Sequence, residues 1–350
     1  MAQAASPPVA RSSRFWLYTP FVLLLLVAAA WSAAWFFIRN RAEEGLERGL
    51  AMEARAGRQW TCENRSIGGF PFRIEVACSN LVLRRGDLTA SLGPVTAVAQ
   101  VYQPRHVITQ VAGPLRLTEG PLTVEGTWTL LETSFRGTPA GFQRASLVAR
   151  DPQFRFMGAA PQDLTLSSRS LEAHIRPNPA RIATEAAYDA AITARQAQLP
   201  VADLLVGGTE PTDIQIDLTA TQAEGFRGRL VAEELERWRA AGGRLDILQL
   251  SLTKGARRVQ AQGDLQLDDQ HRPMGQFQVS AAGLDGLLAN LTGGRATGNL
   301  LGAILGQAPS RQQPSGGQPG LSPLPPLRIE NGRLVLGPFV VPGVRVPALY

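Results

Sequence analysis

The sequence predicts a mainly β protein: an antiparallel sheet, curled into a groove or sandwich with a few short helices, behind one N-terminal transmembrane helix. Three observations carry this. Residues Phe15 to Ile38 form an uncharged apolar run. From Gln59 to about Thr221, apolar residues recur at every second position between Gly, Pro, Asn and Asp, the pattern of short half-buried strands. Helical stretches are few, and closely spaced turn signals favour meandering antiparallel pairs over parallel crossovers.

The apolar run reads "FWLYTPFVLLLLVAAAWSAAWFFI". At ~1.5 Å per residue it reaches ~36 Å, enough to cross a bilayer core. Trp16, Tyr18, Trp35, Phe36 and Phe37 stand near its ends, where amphipathic rings prefer the interface. Arg11 and Arg14 precede it in a tail, 1–14, that has no acid, which favours a cytoplasmic N-terminus and the bulk of the chain outside. A cleaved signal peptide is the rival, because "WSAAW" offers small residues at a cleavage site. The run continues past that site through Trp35–Ile38, which suits a retained anchor, 15–38. Both readings put the remainder in the periplasm, and the retained one keeps the anchor in a bacterial inner membrane.

Beyond the span, 39–57 reads as a helical stalk with a narrow stripe of Leu46, Leu50 and Met52, stopped by Gly57. A β-rich domain is expected over 58–305. Within it "PFRIEVAC" alternates Phe72, Ile74, Val76 and Cys78, and "TDIQIDLTA" alternates Ile214, Ile216 and Leu218. "DLTLSS", "EAAYDAAITA" and "PLTVEGTWTLLE" are similar. A helix is expected in "FRGRLVAEELERWRAAGG", followed by strands at Arg244–Thr253, Arg257–Leu267 and Met274–Ala281. Further helices are expected at "LDGLLANL" and near Leu300–Leu305. The Pro, Gly, Ser and Gln content of 306–326 marks a linker. A terminal hairpin, 327–350, turns at Asn331–Gly332 and packs on the main domain.

Composition and motifs exclude several functions. The chain has 350 residues and 35 basic ones, of which Lys254 is the single lysine. The arginines are scattered singly or in pairs, without the clustering and interleaved aromatics of a nucleic-acid footprint. His106, His174 and His271 stand far apart, with no second ligand at metal spacing. Asp268–Asp269 sits in a turn. There is no Gly-x-Ser-x-Gly elbow, and "GGRATGNLLG" lacks the Lys-Ser/Thr of a phosphate loop. The expectation is no enzyme, no metal and no cofactor.

In an oxidising compartment a lone cysteine pair tends to be a disulfide. A hairpin folded about Phe70 sets Cys62 opposite Cys78, Asn64 opposite Val76 and Trp60 opposite Asn80, close enough for a cross-strand bridge. The alternative is a buried reduced pair. Closing a loop of this length contributes ~3 kcal/mol in the chain-entropy model. A redox pair would more typically show Cys-x-x-Cys.

"GGFPFRIEVACSNLVL" with Cys62, "WRAAGGRLDILQLSLTKG", "GDLQLDDQHRPMGQFQVSAAGLDGLL" and "IENGRLVLGP" together resemble the domain of unknown function 2125 family of alphaproteobacteria, over about Phe15 to Pro342. Gln270–His271 departs from the Gly-containing turn expected before Arg272–Pro273. The pattern is distantly similar to AsmA-like envelope proteins, which pair one anchor with a long β-rich groove and are associated with phospholipid movement or outer-membrane homeostasis. The resemblance implies architecture and supplies no catalytic residues. Two readings of function follow. In one, acyl chains lie against an apolar groove whose candidates are Ile74, Val76, Ile214, Ile216, Leu265, Leu267, Phe277 and Val279, and the partner is phospholipid. In the other, the protein is an interaction module that adds an envelope protein at a strand edge, without lipid.

Overall fold

The computed structural model describes residues 15–158, 163–200, 203, 207–225, 231–283 and 320–350. Its first element, α1 (Phe15–Arg55), carries the apolar run and the charged stretch as one unbroken helix. Beyond Ile38, Arg39 pairs with Glu43 at 3.8 Å and Arg41 with Glu44 at 3.3 Å, one turn along. The helix stops where Gly57 takes φ 78°. There Gly57 N–H donates to Ala54 O and Arg58 N–H to Glu53 O, satisfying carbonyls of the last turn. The tail ahead of α1, the helices expected at 284–291 and near 300–305, and most of the 306–326 linker lie outside the described residues.

The chain then makes seven long arms, each giving one strand to each of two sheets. The arms are β1 (Gln59–Glu63) with β2 (Ser66–Gly68), β3 (Arg73–Cys78) with β4 (Asn80–Arg85), β5 (Leu88–Leu92) with β6 (Val95–Gln100), and β7 (Gln103–Val111) with β8 (Leu115–Glu119). They continue as β9 (Leu122–Thr127) with β10 (Leu130–Thr138), β11 (Gly141–Arg150) with β12 (Gln153–Met157), and β13 (Leu164–Ser167) with β14 (Ser170–Pro177). The first sheet runs β1-β4-β5-β8-β9-β12-β13, and the second begins β2-β3-β6-β7-β10-β11-β14.

The second sheet goes on alone through β15 (Tyr188–Ala197), β16 (Thr212–Ala220), β17 (Leu245–Lys254), β18 (Arg257–Leu267) and β19 (Pro273–Ala282). Where the described chain resumes at residue 320, β20 (Ser322–Pro323) and β21 (Leu327–Glu330) both pair with β19, so the end of the expected linker is itself a strand of the sheet. β22 (Arg333–Leu336) and β23 (Phe339–Arg345) complete sixteen strands. The β21–β22 turn is Asn331–Gly332, at φ 53° and 69°. Short α2 (Ile182–Glu185) and α3 (Val231–Ala240) sit between strands. All strand pairs are antiparallel; β16 and β18 have the bounds that alternation predicts. In the turn before Arg272, His271 takes φ 59°, the left-handed conformation for which glycine is the usual residue.

Directly opposed residues share a face, so the register reveals what each face carries. In the first sheet one row is Cys62, Leu81, Leu92, Leu115, Gly126, Phe154, Leu166. The row on the other face is Thr61, Val82, Ser91, Arg116, Glu125, Arg155, Thr165. The first sheet therefore has one apolar and one wet face, and the second follows it, with a row Glu75, Val98, Ile108, Ser134, Ser146, His174, Ala191, Asp217 that is mostly polar on the side opposite Val76 and Ile216. The apolar faces meet along the line where the arms change sheet. Phe154 and Leu166 of the first sheet, with Leu171 and Ala194 of the second, line one depression of about 160 Å³. Main-chain bonds stitch this crease: Ser79 N–H to Glu63 O, Ala112 N–H to Pro94 O, Thr129 N–H to Arg150 O and Asp151 N–H to Arg169 O. Arms pass so close that a Cβ on Gly93 would come within 2.6 Å of Gly113 O.

A rule of spacing accompanies the crease. Apolar residues that flank a crossing lie an odd number of positions apart: Cys62 and Ile67, Cys78 and Leu81, Leu92 and Val95, Gly126 and Leu131, Ala149 and Phe154, Leu166 and Leu171. Side chains in a strand alternate, so an odd step would turn the second strand's apolar side outward in a straight strand. The crossing supplies the extra residue that turns it back. The arm through Ala112-Gly113-Pro114 keeps an even step, from Val111 to Leu115.

The Cys62–Cys78 disulfide is present, with Cα atoms 5.4 Å apart, but it is not a rung of one hairpin. Cys62 faces Leu81 in the first sheet, and Cys78 faces Val95 in the second. Ile67, not Asn64, faces Val76, and Trp60 faces Leu83 rather than Asn80. The hairpin is centred between Pro71 and Phe72 because Arg73 N–H closes onto Gly69 O, leaving Gly69–Phe72 as the loop. Only the bend at the crease brings the two cysteines together. The bond is a brace between sheets.

Candidate functional site

All eight groove candidates fall on one face of the second sheet. A single row across it holds Val76, Ala97, Thr109, Thr133, Leu147, Ala173, Ile192, Ile216, Leu250, Ala261 and Val279. Ile74 opposes Ala99 in the next row, Ile214 opposes Leu252 one step the other way, and Phe277 opposes Gly263. Leu265 and Leu267 continue the face along β18. Ile74 is buried; the other seven are half-buried.

This face is thinly covered. Among the described residues the buried hydrophobics are mostly alanines, with Ile74 and Val124 the branched ones. Phe135 stays 50% exposed and Ile175 42% exposed, although both belong to the apolar side. Between them Ala145, Ala173 and Ala190 form a low floor, walled by Phe135, Leu147, Ile175 and Ile192. The result is a trough of about 420 Å³, lined also by Thr133 and by Ser134, Ser146 and His174, residues whose register places them on the opposite, wet face. Sequence reasoning missed these trough residues. The available signal was a small residue at every other apolar position in "SLEAHI" and "YDAAITA".

Charged groups collect elsewhere. On the wet face Gln110 donates to Glu132, His106 meets Ser134 at 3.0 Å and His174 meets Ser146 at 2.9 Å. At the end of the second sheet Arg239 pairs with Glu236 at 2.8 Å and with Asp269 at 2.9 Å. Tyr350 stacks on His271 at 4.3 Å and donates its hydroxyl to Glu236. The Arg239 and Tyr350 hydrogen bonds hold the Glu236 carboxyl at about 2. Burial, and then the Glu236 hydrogen bond, push the Tyr350 phenol up. Asp268 accepts from Gln270 N–H and Arg272 N–H, closing its own turn. Lys254, 1% exposed, lies on the apolar face opposite Thr212 and pairs with Asp203. Among the described residues no three metal-ligating side chains converge.

Among the described residues the geometry defines a class: one long helix, apolar enough over its first half to cross a membrane, carrying two antiparallel sheets that meet at a crease, the larger with an open apolar face. Over residues 35–344 the chain matches the family described as uncharacterized protein conserved in bacteria (DUF2125), and it belongs to that family. No curated protein and no solved structure matches it.

Proposed function

We propose that the protein handles lipid in a bacterial cell envelope, anchored in the inner membrane by α1 with its body in the periplasm. The observation that carries this is the trough of about 420 Å³ on a face whose Phe135 and Ile175 remain half in solvent. An acyl chain is the ligand that such a surface accepts without leaving polar groups unpaired. The disulfide supports an oxidising compartment, and Arg11 and Arg14 ahead of the apolar run support a cytoplasmic N-terminus.

The test is native mass spectrometry and lipid extraction of the full chain purified in detergent, beside Ala173→Trp, which fills the trough floor. Co-purifying phospholipid that Ala173→Trp loses, with an unchanged melting profile, is the expected result. Lipid-free protein that brings down one stoichiometric envelope protein would transfer the assignment to the interaction-module reading.

A further inference from the structure

The first arm runs back down α1 towards the apolar half of the helix. Arg58 pairs with Glu53, Arg65 with Glu47, and Arg39 Nε donates to Ile67 O at 3.2 Å. The β2–β3 loop then lies against residues well inside the uncharged run. Trp35 Nε1 donates to Arg73 O and Trp31 Nε1 to Pro71 O, each at 3.0 Å. Phe70 packs edge-on against Trp35 at 5.3 Å, and Phe72 lies 6.0 Å from Trp31.

Trp31 precedes Arg39 by eight residues, or ~12 Å along a helix, while half of a bilayer's apolar core is about 15 Å. A loop at that level cannot stay in water if the helix spans. Its chemistry suits a water-poor site: Phe70 is 54% exposed and Phe72 60% exposed, and Pro71 has no N–H to satisfy. The carbonyls of Gly69, Pro71, Phe72 and Arg73 all accept hydrogen bonds, from Arg73 N–H, Trp31, Val101 N–H and Trp35. Satisfied backbone is what low-dielectric surroundings demand.

The neighbouring β6–β7 turn continues the edge. Val101 N–H bonds to Phe72 O, and Tyr102 beside it is 64% exposed. Just behind, a cleft of about 330 Å³ is lined by Tyr102, Arg105, His106 and Arg136. Neither arginine forms an ion pair among the described residues; Arg136 Nη2 meets His106 Nδ1 at 3.2 Å, and Arg136 opposes Arg144 in the register, a like-charge pairing that an anion would relieve.

We infer that this edge of the second sheet is seated in the bilayer that α1 crosses, with Phe70 and Phe72 among acyl chains, Tyr102 at the interface, and Arg105 and Arg136 on lipid phosphates. The inference rests on the reading of α1 as a membrane anchor. It is tested in the full chain, reconstituted in nanodiscs of phosphatidylethanolamine and phosphatidylglycerol, by substituting benzoylphenylalanine at one position at a time: Leu24→benzoylphenylalanine in the helix, Phe72→benzoylphenylalanine and Tyr102→benzoylphenylalanine at the edge, and Asp87→benzoylphenylalanine at the exposed outer turn of the first sheet. Light-induced lipid adducts at 24, 72 and 102, with none at 87, are expected. Adducts at 24 without any at 72 and 102 overturn the seated edge and leave the anchor standing. No adduct at 24 overturns both.

Discussion

Up to β14 every arm of the body serves two sheets, whereas from β15 onward each strand serves one. The first region bends its sheet at a crease and places a covalent brace across it, with ion pairs such as Arg116–Glu125 kept on the wet face. Among the described residues the second has no first-sheet strand over it and is held by charge clusters near strand ends. There Arg181 bridges Glu185 at 2.6 Å and Asp246 at 2.7 Å, while Lys254 holds Asp203. The difference teaches how a long apolar face stays in place without a thick core. Where a second layer exists it can be pinned by geometry. Where none exists, polar groups around the margin do that work.

The largest effect is expected in the creased region. Replacing Cys62→Ser with Cys78→Ser should lower stability in urea by about 3 kcal/mol, the loop-closure value for a bridge of this span. Reductant should destabilise the natural protein and leave the variant unmoved. Because the bond braces two sheets, hydrogen exchange should quicken along the crease, at Ser79 and Asp151, and stay unchanged in β17 to β19. Equal loss in both regions would mean that the body unfolds as one unit.

The single-sheet region should respond to its buried cation. Asp203→Ala leaves Lys254 without its carboxylate at 1% exposure, a loss of about 2 kcal/mol once water access at the half-exposed aspartate is allowed for. Lys254→Met in the same assay should cost less, since Asp203 can turn to solvent. If the two substitutions prove equal, the pair contributes through its attraction rather than through the cost of an unpaired buried charge.

The smallest effect is acid sensitivity at the Tyr350 contact. Glu236 is held at about 2 against an ordinary 4.5, so its stabilisation is complete above about 4.5 and is lost as pH falls towards 2. Tyr350→Phe removes one of the two hydrogen bonds that depress it and should flatten the fall of melting temperature between pH 5 and 3. An unchanged slope would assign the acid response to other carboxylates.

Much of the fold was legible because alternation is local. β16, β18, the Asn331–Gly332 turn and the pairing of Cys62 with Cys78 follow from spacing and turn chemistry. The crease was not. Its crossings at Gly93-Pro94 and Asp151-Pro152 are built of turn residues, and turn residues do not say whether the chain reverses or passes on into another sheet. A hairpin folded about Phe70 presumes one flat ladder, which sets the right cysteines together beside the wrong neighbours. The trough was hidden for a related reason: alanines read as weak core positions until their neighbours across four strands are known.

The odd-numbered crossings have an evolutionary consequence. Insertions at the outer turns, such as Gly86–Asp87 or Gly120–Pro121, lengthen a hairpin without altering which side of it is greasy. Adding or removing one residue between Cys78 and Leu81, or between Ala149 and Phe154, would turn that arm of the first sheet inside out unless its crossing took the even form of the arm through Ala112-Gly113-Pro114. Drift in gene length should therefore be absorbed at the rim and purged at the crease, so the width of the surface can be tuned while its handedness cannot.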